Sequence, residues 1–336
     1  MIEERFLLIH TGGIGDLIMA RPAIQFLKRK RPDALLDFMG NPVSLSILIN
    51  TQELHSLIPF QSAKKNLWSA FSVLKILVLL RLRRYERLYL LQPILGADGH
   101  KRLRFLVKFI NARRNYGRES PFDSDFVDYA VRELSTRHEV DRMLAVVSDN
   151  HPPPVQEKDY LLSFPVDDNY KKYGLQEHAY IVLSPGGNKS FRRWPIDNFM
   201  AIAHLAVREG LNIVLIGSPS EQSILAENEK MLPKGTKNLI GKTDFSSLCS
   251  VIQHAKLVVA NDSGPMHLAN ALGTPVVCIF GSGDRVRTPP FLTDKARLLD
   301  SPALECKPCY RQVCDAPLCM IPITVEKVWN ATKSLL

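Results

Sequence analysis

The sequence predicts an α/β protein built on parallel sheets, and three observations carry that expectation. Short apolar runs alternate with longer helical patterns along the 336 residues, the rhythm of strand–helix–strand units. The run Phe6-Leu7-Leu8-Ile9 passes directly into the glycine-rich turn Thr11 to Asp16. The run Leu257-Val258-Val259-Ala260 passes into Asn261 to His267. Both turns fall where a buried strand hands over to a helix, the place where open α/β sheets put their ligands.

Taken in order, the first half reads as strands at Arg5–His10, Leu35–Met39, Leu54–Ile58 and Arg87–Leu91. Helices are expected from Asp16 to about Lys30, around Pro42–Asn50, from about Lys64 to Arg84, and over Arg137–Val147, with a polar loop at Ser120–Asp128. His151-Pro152-Pro153-Pro154 then breaks the pattern, because consecutive prolines continue neither a helix nor a central strand. After it the alternation restarts, with strands at Tyr180–Ser184, Asn212–Gly217, Asn238–Ile240, Leu257–Ala260 and Pro275–Phe280. Helices are expected from Pro195 to about Glu209, near Glu221–Met231, over Phe245–His254 and Pro265–Leu272, and from Val325 to the end. The expected organisation is a first domain over 1–150, a linker over 151–177, a second domain over 178–324 and a terminal helix over 325–336. The length agrees with two domains of about 150 residues each.

Composition narrows the function classes. With 46% apolar and 23% charged residues the chain is an ordinary globular protein. Met1 to Arg5 is acidic where a secretion signal would be basic, and Val73 to Leu82 is too short and too interrupted by Lys75 to span a bilayer. A cytoplasmic protein is therefore expected. Residues 1–150 hold 23 Lys and Arg against 16 Asp and Glu; the remainder holds 20 against 18. The excess is clustered at Lys28 to Arg31, Arg81 to Arg87, Lys101 to Arg104 and Arg113-Arg114. Solvated helix faces account for such clusters, and so does a polyanionic partner such as an acidic membrane face or an acidic glycolipid. Nucleic acid fits poorly, since neither a recognition motif nor an aromatic platform is present.

The chemistry-bearing residues sit at the turns. Gly12, Gly13 and Gly15 allow a tight turn and close approach of backbone to a ligand, and Asp16 at the helix start is either a cap or a base. The spacing is not that of a dinucleotide-binding fingerprint. Gly186 and Gly187, followed by Lys189 and Arg192, form a strand-end turn with cations suited to anionic oxygens, where surface cations beside a structural tryptophan are the plainer explanation. Asp262, Ser263 and Gly264 open a helix whose N–H groups, with His267 one turn in, suit a diphosphate. Glu221 is a first-turn acid or a partner for ribose hydroxyls. Four of the six cysteines, Cys306, Cys309, Cys314 and Cys319, form a compact array in which a structural metal, packed free thiols and disulfides all remain open.

Together these motifs resemble glycosyltransferase family 9, the ADP-heptose:lipopolysaccharide heptosyltransferase group. The resemblance rests on Gly12 to Asp16 with Arg21-Pro22, and on His138 with Val140-Asp141-Arg142. It continues through Pro185-Gly186-Gly187 with Arg193-Trp194-Pro195, Asn261 through Ala269, Gly273-Thr274-Pro275, and Phe280-Gly281 with Asp284. It implies a GT-B fold, two Rossmann-like domains whose parallel sheets face one another across a cleft, with the acceptor on the first and the nucleotide sugar on the second. It implies inverting transfer, most simply of heptose from ADP-heptose, to an anionic lipid-linked glycan, with no cofactor and no catalytic metal. Carried over, Asp16 becomes the general base; Ser263, Gly264 and His267 become diphosphate contacts; Asp262 shapes that turn; and Glu221 faces the ribose. The region Trp68 to Arg87, apolar and flanked by arginines, reads as an amphipathic helix packed on its sheet or as a site of peripheral membrane contact. Two departures stand out: Arg192 replaces the lysine usual before the basic-Trp-Pro segment, and Gln92 to Asp98 matches the family pattern poorly. The rival classes are a nucleotide-sugar epimerase or hydrolase on the same scaffold and a catalytically silent glycan-binding module.

Overall fold

A computed structural model describes residues 4–336 apart from 62–66, 95, 123–124, 133–135, 163–166, 226–228, 303, 310 and 312. The chain forms two compact units, Met1–Tyr160 and Leu161–Leu336. In the first, the described residues form a six-stranded parallel sheet from β1 (Arg5–His10), β2 (Leu35–Gly40), β3 (Ser56–Pro59), β4 (Arg87–Leu90), β5 (Arg114–Arg118) and β6 (Tyr129–Val131), in the order β3-β2-β1-β4-β5-β6. Helix α1 (Ile14–Lys30) follows β1, α2 (Leu67–Leu82) leads into β4, α3 (Ala97–Ile110) joins β4 to β5, and α4 (Glu139–Val147) follows β6. A single turn, α5 (Glu157–Tyr160), closes the unit, and its buried Asp159 is clasped by Arg29 of α1 at 2.7 Å.

Strand alternation divides the core. Leu7 and Ile9 of β1, with Leu88 and Leu90 of β4, pack under Leu77 and Leu80 of α2 and Leu103, Leu106 and Val107 of α3. Phe6 and Leu8 serve the other face, where α1 and α4 pack together. Helix α1 starts on Gly13 and ends in Lys28-Arg29-Lys30, cations that suit the negative end of its dipole. Asp37 on β2 has no solvent exposure and is held by Arg5 (3.2 Å), Arg83 (2.6 Å), the Tyr85 hydroxyl (2.8 Å) and the Ser56 hydroxyl (2.9 Å). Burial, reinforced by the Asp37 charge, pushes the Tyr85 phenol upward.

The second unit repeats the plan with β7 (Tyr180–Ser184), β8 (Asn212–Leu215), β9 (Lys237–Asn238), β10 (Leu257–Asn261), β11 (Val276–Ile279) and β12 (Ala296–Leu299), in the order β12-β11-β10-β7-β8-β9. Helices α6 (Ile196–Arg208) and α9 (Val325–Lys333) cover one face through Phe199, Ile202, Val328 and Trp329. Helix α7 (Phe245–Gln253) contacts α8 (Gly264–Ala271). In each sheet the first strand lies in the middle and the crossovers leave it in opposite directions. The β1/β4 and β7/β10 boundaries are therefore the switch points at which such sheets bind ligands.

Several elements differ from expectation. Helix α3 and strands β5, β6 and β12 were not anticipated, being polar or short. The expected helix at 42–50 is a 3-10 turn, Ser44–Leu48. The one expected over 221–231 is two short 3-10 turns, Pro219–Ile224 and Glu229–Met231, with 226–228 outside the described residues. Residues 64–66, where α2 was expected to begin, and the Trp68 side chain likewise lie outside them. Among the described residues no helix is long and apolar enough to cross a membrane.

Candidate functional site

In the first unit the switch point is the turn after β1. Asp16 is the third residue of α1, half-buried, and its Oδ2 accepts the N–H of the N-cap residue Gly13 at 2.8 Å. Among the described residues no other hydrogen bond to the carboxylate is seen. A Cβ on Gly12 would stand 2.2 Å from Asp16 Oδ2 and 2.7 Å from His10 Cε1, so only glycine admits this carboxylate. The rest of the turn is fixed by neighbours. The Gly12 N–H donates to His10 Nδ1 (3.1 Å), the Ser44 hydroxyl donates to the Gly12 carbonyl (2.9 Å), and Thr11 donates its N–H (2.7 Å) and hydroxyl (2.8 Å) to Gln92 Oε1, just past β4.

In the second unit three turns are tied into one platform. The buried Asn261 amide, at the end of β10, donates to the Pro185 (2.9 Å) and Gly186 (3.0 Å) carbonyls after β7 and accepts the Trp194 N–H (3.0 Å). Glu221 grips the same glycine turn from the loop after β8. Its Oε1 accepts the Gly187 N–H (2.6 Å), while Oε2 accepts the Ser218 N–H (2.7 Å) and hydroxyl (2.9 Å). A Cβ on Gly186 would meet Glu221 Oε1 at 2.0 Å. Arg193 donates Nε and Nη2 to the Gly187 carbonyl at 2.9 and 2.6 Å.

At the β10–α8 turn, Ser263 stands at the helix N-cap, yet its hydroxyl donates back to the Asn261 carbonyl at 3.1 Å. The start of α8 thus has no side-chain cap, and its first N–H groups, with the positive end of the helix dipole, suit an anion. Gly264 begins the helix, and His267 lies buried in its first turn. Asp262 is partly buried; a Cβ on Gly283, in the turn after β11, would stand 2.7 Å from its Oδ2.

The cations and the cysteine array belong together. Lys189 Nζ donates to the Arg311 carbonyl at 2.6 Å, and Arg192 donates to the Cys309 carbonyl. The Cys309 N–H in turn donates to the Ser282 carbonyl at 3.1 Å, and the backbone at Cys319 lies against Gly281. The cysteine loop therefore backs the basic turn. Cys309 and Cys319 are buried, Cys306 is exposed, and all are free thiols. Burial raises the Cys319 thiol, and the other three thiols reinforce this in part. Among the described residues, no three His, Cys, Asp or Glu side chains converge to hold a metal ion.

Structure thus gathers Gly12, Gly13, Gly15 and Asp16 at one switch point, and Gly186, Gly187, Lys189, Arg192, Glu221, Asp262, Ser263, Gly264 and His267 around the other. Sequence reasoning missed Gln92, His10 and Ser44 in the first and gave no role to Asn261 or Arg193 in the second. Asn261 had a readable signal: a polar residue closing an apolar strand has to find buried partners.

Comparisons with known proteins bear on the family and the fold. The model of glycosyltransferase family 9 (heptosyltransferase) matches residues 80–319. Lipopolysaccharide heptosyltransferase 3 of Escherichia coli K12 is 27% identical over 291 residues, covering 81% of each chain. Lipooligosaccharide heptosyltransferase 2 of Campylobacter jejuni serotype O:2 is 27% identical over 335 residues, covering 96% of this chain and 95% of its own. The solved structure of E. coli ADP-heptose lps heptosyltransferase II superposes with a TM-score of 0.77 at 22% identity over 98% of both chains, which shows the fold to be GT-B. The family match spans well over half of the sequence and takes in the whole platform from Pro185 to the cysteine loop; the chain belongs to glycosyltransferase family 9.

Proposed function

We propose that this glycosyltransferase moves heptose from ADP-heptose to a hydroxyl of an anionic, lipid-linked lipopolysaccharide-core acceptor at the cytoplasmic membrane face, with inversion and without a catalytic metal. The names of its relatives support the sugar and the acceptor class. The observation that carries the chemistry is the contrast between the two switch points. One offers a carboxylate on a glycine turn, and the other an uncapped helix start with Arg192 and Lys189 on a loop anchored to the same Asn261 platform.

In this reading the first unit takes the acceptor and the second the donor. Asp16 removes the proton from the acceptor hydroxyl as its oxygen attacks the anomeric carbon. The bond from that carbon to the β-phosphate oxygen breaks, and ADP leaves with the electron pair. Ser263, Gly264 and His267 hold the diphosphate, and Lys189 and Arg192 balance the charge that grows on it. Glu221 shapes the turns with one bond at Oε1 and two at Oε2, and the open side of Oε1 faces the ribose hydroxyls. Asp262 orients the diphosphate turn.

The test is ADP release by the purified protein with ADP-heptose and a truncated core-lipid acceptor, in the presence of a chelator. Acceptor-dependent release with transfer of heptose to the lipid is expected. Release that ignores the acceptor marks a hydrolase or epimerase. No turnover with any nucleotide sugar, despite nucleotide binding, marks a silent binding module.

A further inference from the structure

We propose that the exposed faces of α2 and α3 form a surface that seats on an anionic phospholipid bilayer, with α2 lying in the interface plane. Helix α2 is apolar on both sides. Val73, Ile76, Leu77 and Leu80 face the sheet, whereas Phe71, Leu74, Val78, Leu79 and Leu82 face outward at 66, 52, 43, 44 and 72% exposure. At about 100° per residue the five outward side chains fall within an arc of about 140°, a stripe about 16 Å long. A helix packed on a sheet at a water-facing surface carries mostly polar residues on that side; an outward stripe of five large apolar side chains interrupted by Lys75 alone calls for cover. With 16 residues it does not cross a bilayer.

The neighbouring helix chooses the cover. The outward face of α3 presents Lys101, Arg102, Arg104 and Lys108 around Phe105, which is 61% exposed. Asp125 pairs with both Arg104 and Lys108, at 2.7 and 2.6 Å, but offsets only one of their two charges; with Asp98 offsetting another, the four cations leave a surplus of two on that face. Lys75 within the α2 stripe, and Arg81 and Arg84 at its end, are exposed cations as well. An apolar stripe bordered by cations matches acyl chains beneath anionic headgroups. A second copy of the same face would instead set Lys101 and Arg102 against like charges. The inference deepens the proposed function, in which the acceptor's lipid sits in such a bilayer, but its test needs no transfer chemistry.

The test is cosedimentation of the full-length protein with vesicles of phosphatidylethanolamine containing a quarter phosphatidylglycerol, and with phosphatidylcholine vesicles, at low and high salt. The wild type is expected to sediment with the anionic vesicles and leave the neutral ones, and to lose binding as salt shortens the Debye length. Phe71→Asp/Leu82→Asp is expected to weaken partition by about a hundredfold, on the scale of two large apolar side chains withdrawn from the interface. Lys101→Glu/Arg102→Glu, which touches no core residue, is expected to weaken it by about tenfold or more. Both variants should keep the wild-type melting temperature and turnover on a deacylated, water-soluble acceptor. Failure of the wild type to bind anionic vesicles overturns the proposal. So does a lipid-free dimer that the double aspartate variant splits while vesicle binding stays intact. Vesicle binding with no transfer activity would sink the proposed function and leave this surface standing.

Discussion

Replacing Asp16 by asparagine and by alanine separates the two jobs its position allows. In the structure Oδ2 accepts the Gly13 N–H at 2.8 Å, so the residue caps α1 whatever else it does. An asparagine keeps an oxygen for that bond and gives up only the attraction of a carboxylate to the helix dipole, about 0.5 kcal/mol. An alanine forfeits the bond too, about 1 kcal/mol more. At about 2–4 °C per kcal/mol for a unit of this size, Asp16→Asn should lower the melting temperature of the first unit by roughly 1–2 °C and Asp16→Ala by roughly 3–6 °C. As a base, however, asparagine is as useless as alanine. Both should lower kcat by about 10²–10⁴, with ADP affinity unchanged. The assay is acceptor-dependent ADP release paired with scanning calorimetry. If Asp16→Asn turns over at the wild-type rate, or if kcat falls in step with melting temperature across the two variants, Asp16 is a cap and nothing more.

Other perturbations reach the same machinery indirectly. Gly12→Ala leaves Asp16 in the chain but drives a methyl to 2.2 Å from its Oδ2; the expected kcat is closer to that of Asp16→Ala than to wild type. Asn261→Ala strips partners from the Pro185 and Gly186 carbonyls and the Trp194 N–H. A loss of about 2–3 kcal/mol in stability of the second unit, together with weaker ADP binding by calorimetric titration, is expected. Burial pushes the Cys249 thiol up to about 12 and holds Cys278 well above its ordinary range. At pH 8 both are therefore protonated and inert, and iodoacetamide should label exposed Cys306 first and these two only after denaturation. The linkage has a definite sign: above about pH 9 the unfolded thiols lose protons that the folded ones keep, so stability should fall toward pH 12 by up to about 1.4 kcal/mol per pH unit for each thiol. Chemical denaturation across that range measures it.

The sequence made the architecture readable where the chain is apolar. Strands such as β1, β7 and β10 are buried on both faces, so continuous runs like Phe6 to Ile9 and Leu257 to Ala260 mark them without help from tertiary context. Elements away from the sheet centres lacked that signal. Strand β5 is Arg-Asn-Tyr-Gly-Arg, and its Arg118 is buried only because Glu139 of α4 meets it at 2.7 Å, a compensation that no local window displays. Helix α3 was hidden for the opposite reason, since its cations mask the period of Leu103, Leu106, Val107 and Ile110. At the sites the glycines and carboxylates were visible as residue types, but their partners were not. Gln92 reaches Thr11 across 81 positions, and Asn261 reaches Gly186 across 75.

The two units build their switch points from one device, and the two copies differ in how much of the carboxylate it uses. Each has a glycine whose missing Cβ admits a carboxylate, and in each that carboxylate reaches back to accept the backbone N–H three residues earlier, Asp16 from Gly13 and Glu221 from Ser218. In the first unit the acid lies on the helix of its own turn and spends one oxygen. In the second it arrives from the next strand's loop and spends both, on Gly187 and on Ser218. Both Glu221 oxygens are therefore engaged with backbone, where Asp16 engages one; under the proposed function that difference leaves Asp16 the freer carboxylate. Glu221→Gln should behave unlike Asp16→Asn: one end of the amide turns an N–H toward a backbone N–H, setting donor against donor at Gly187 or Ser218, a conflict of about 1–2 kcal/mol at a partly exposed site. The glycine turn should loosen, raising the donor KM and the ADP dissociation constant by about tenfold, with kcat within a few-fold of wild type. If Glu221→Gln binds ADP as tightly as wild type, the clamp on Gly187 does not shape the donor site. If it instead loses kcat with ADP affinity intact, the assignment of the reacting carboxylate to the first unit is wrong.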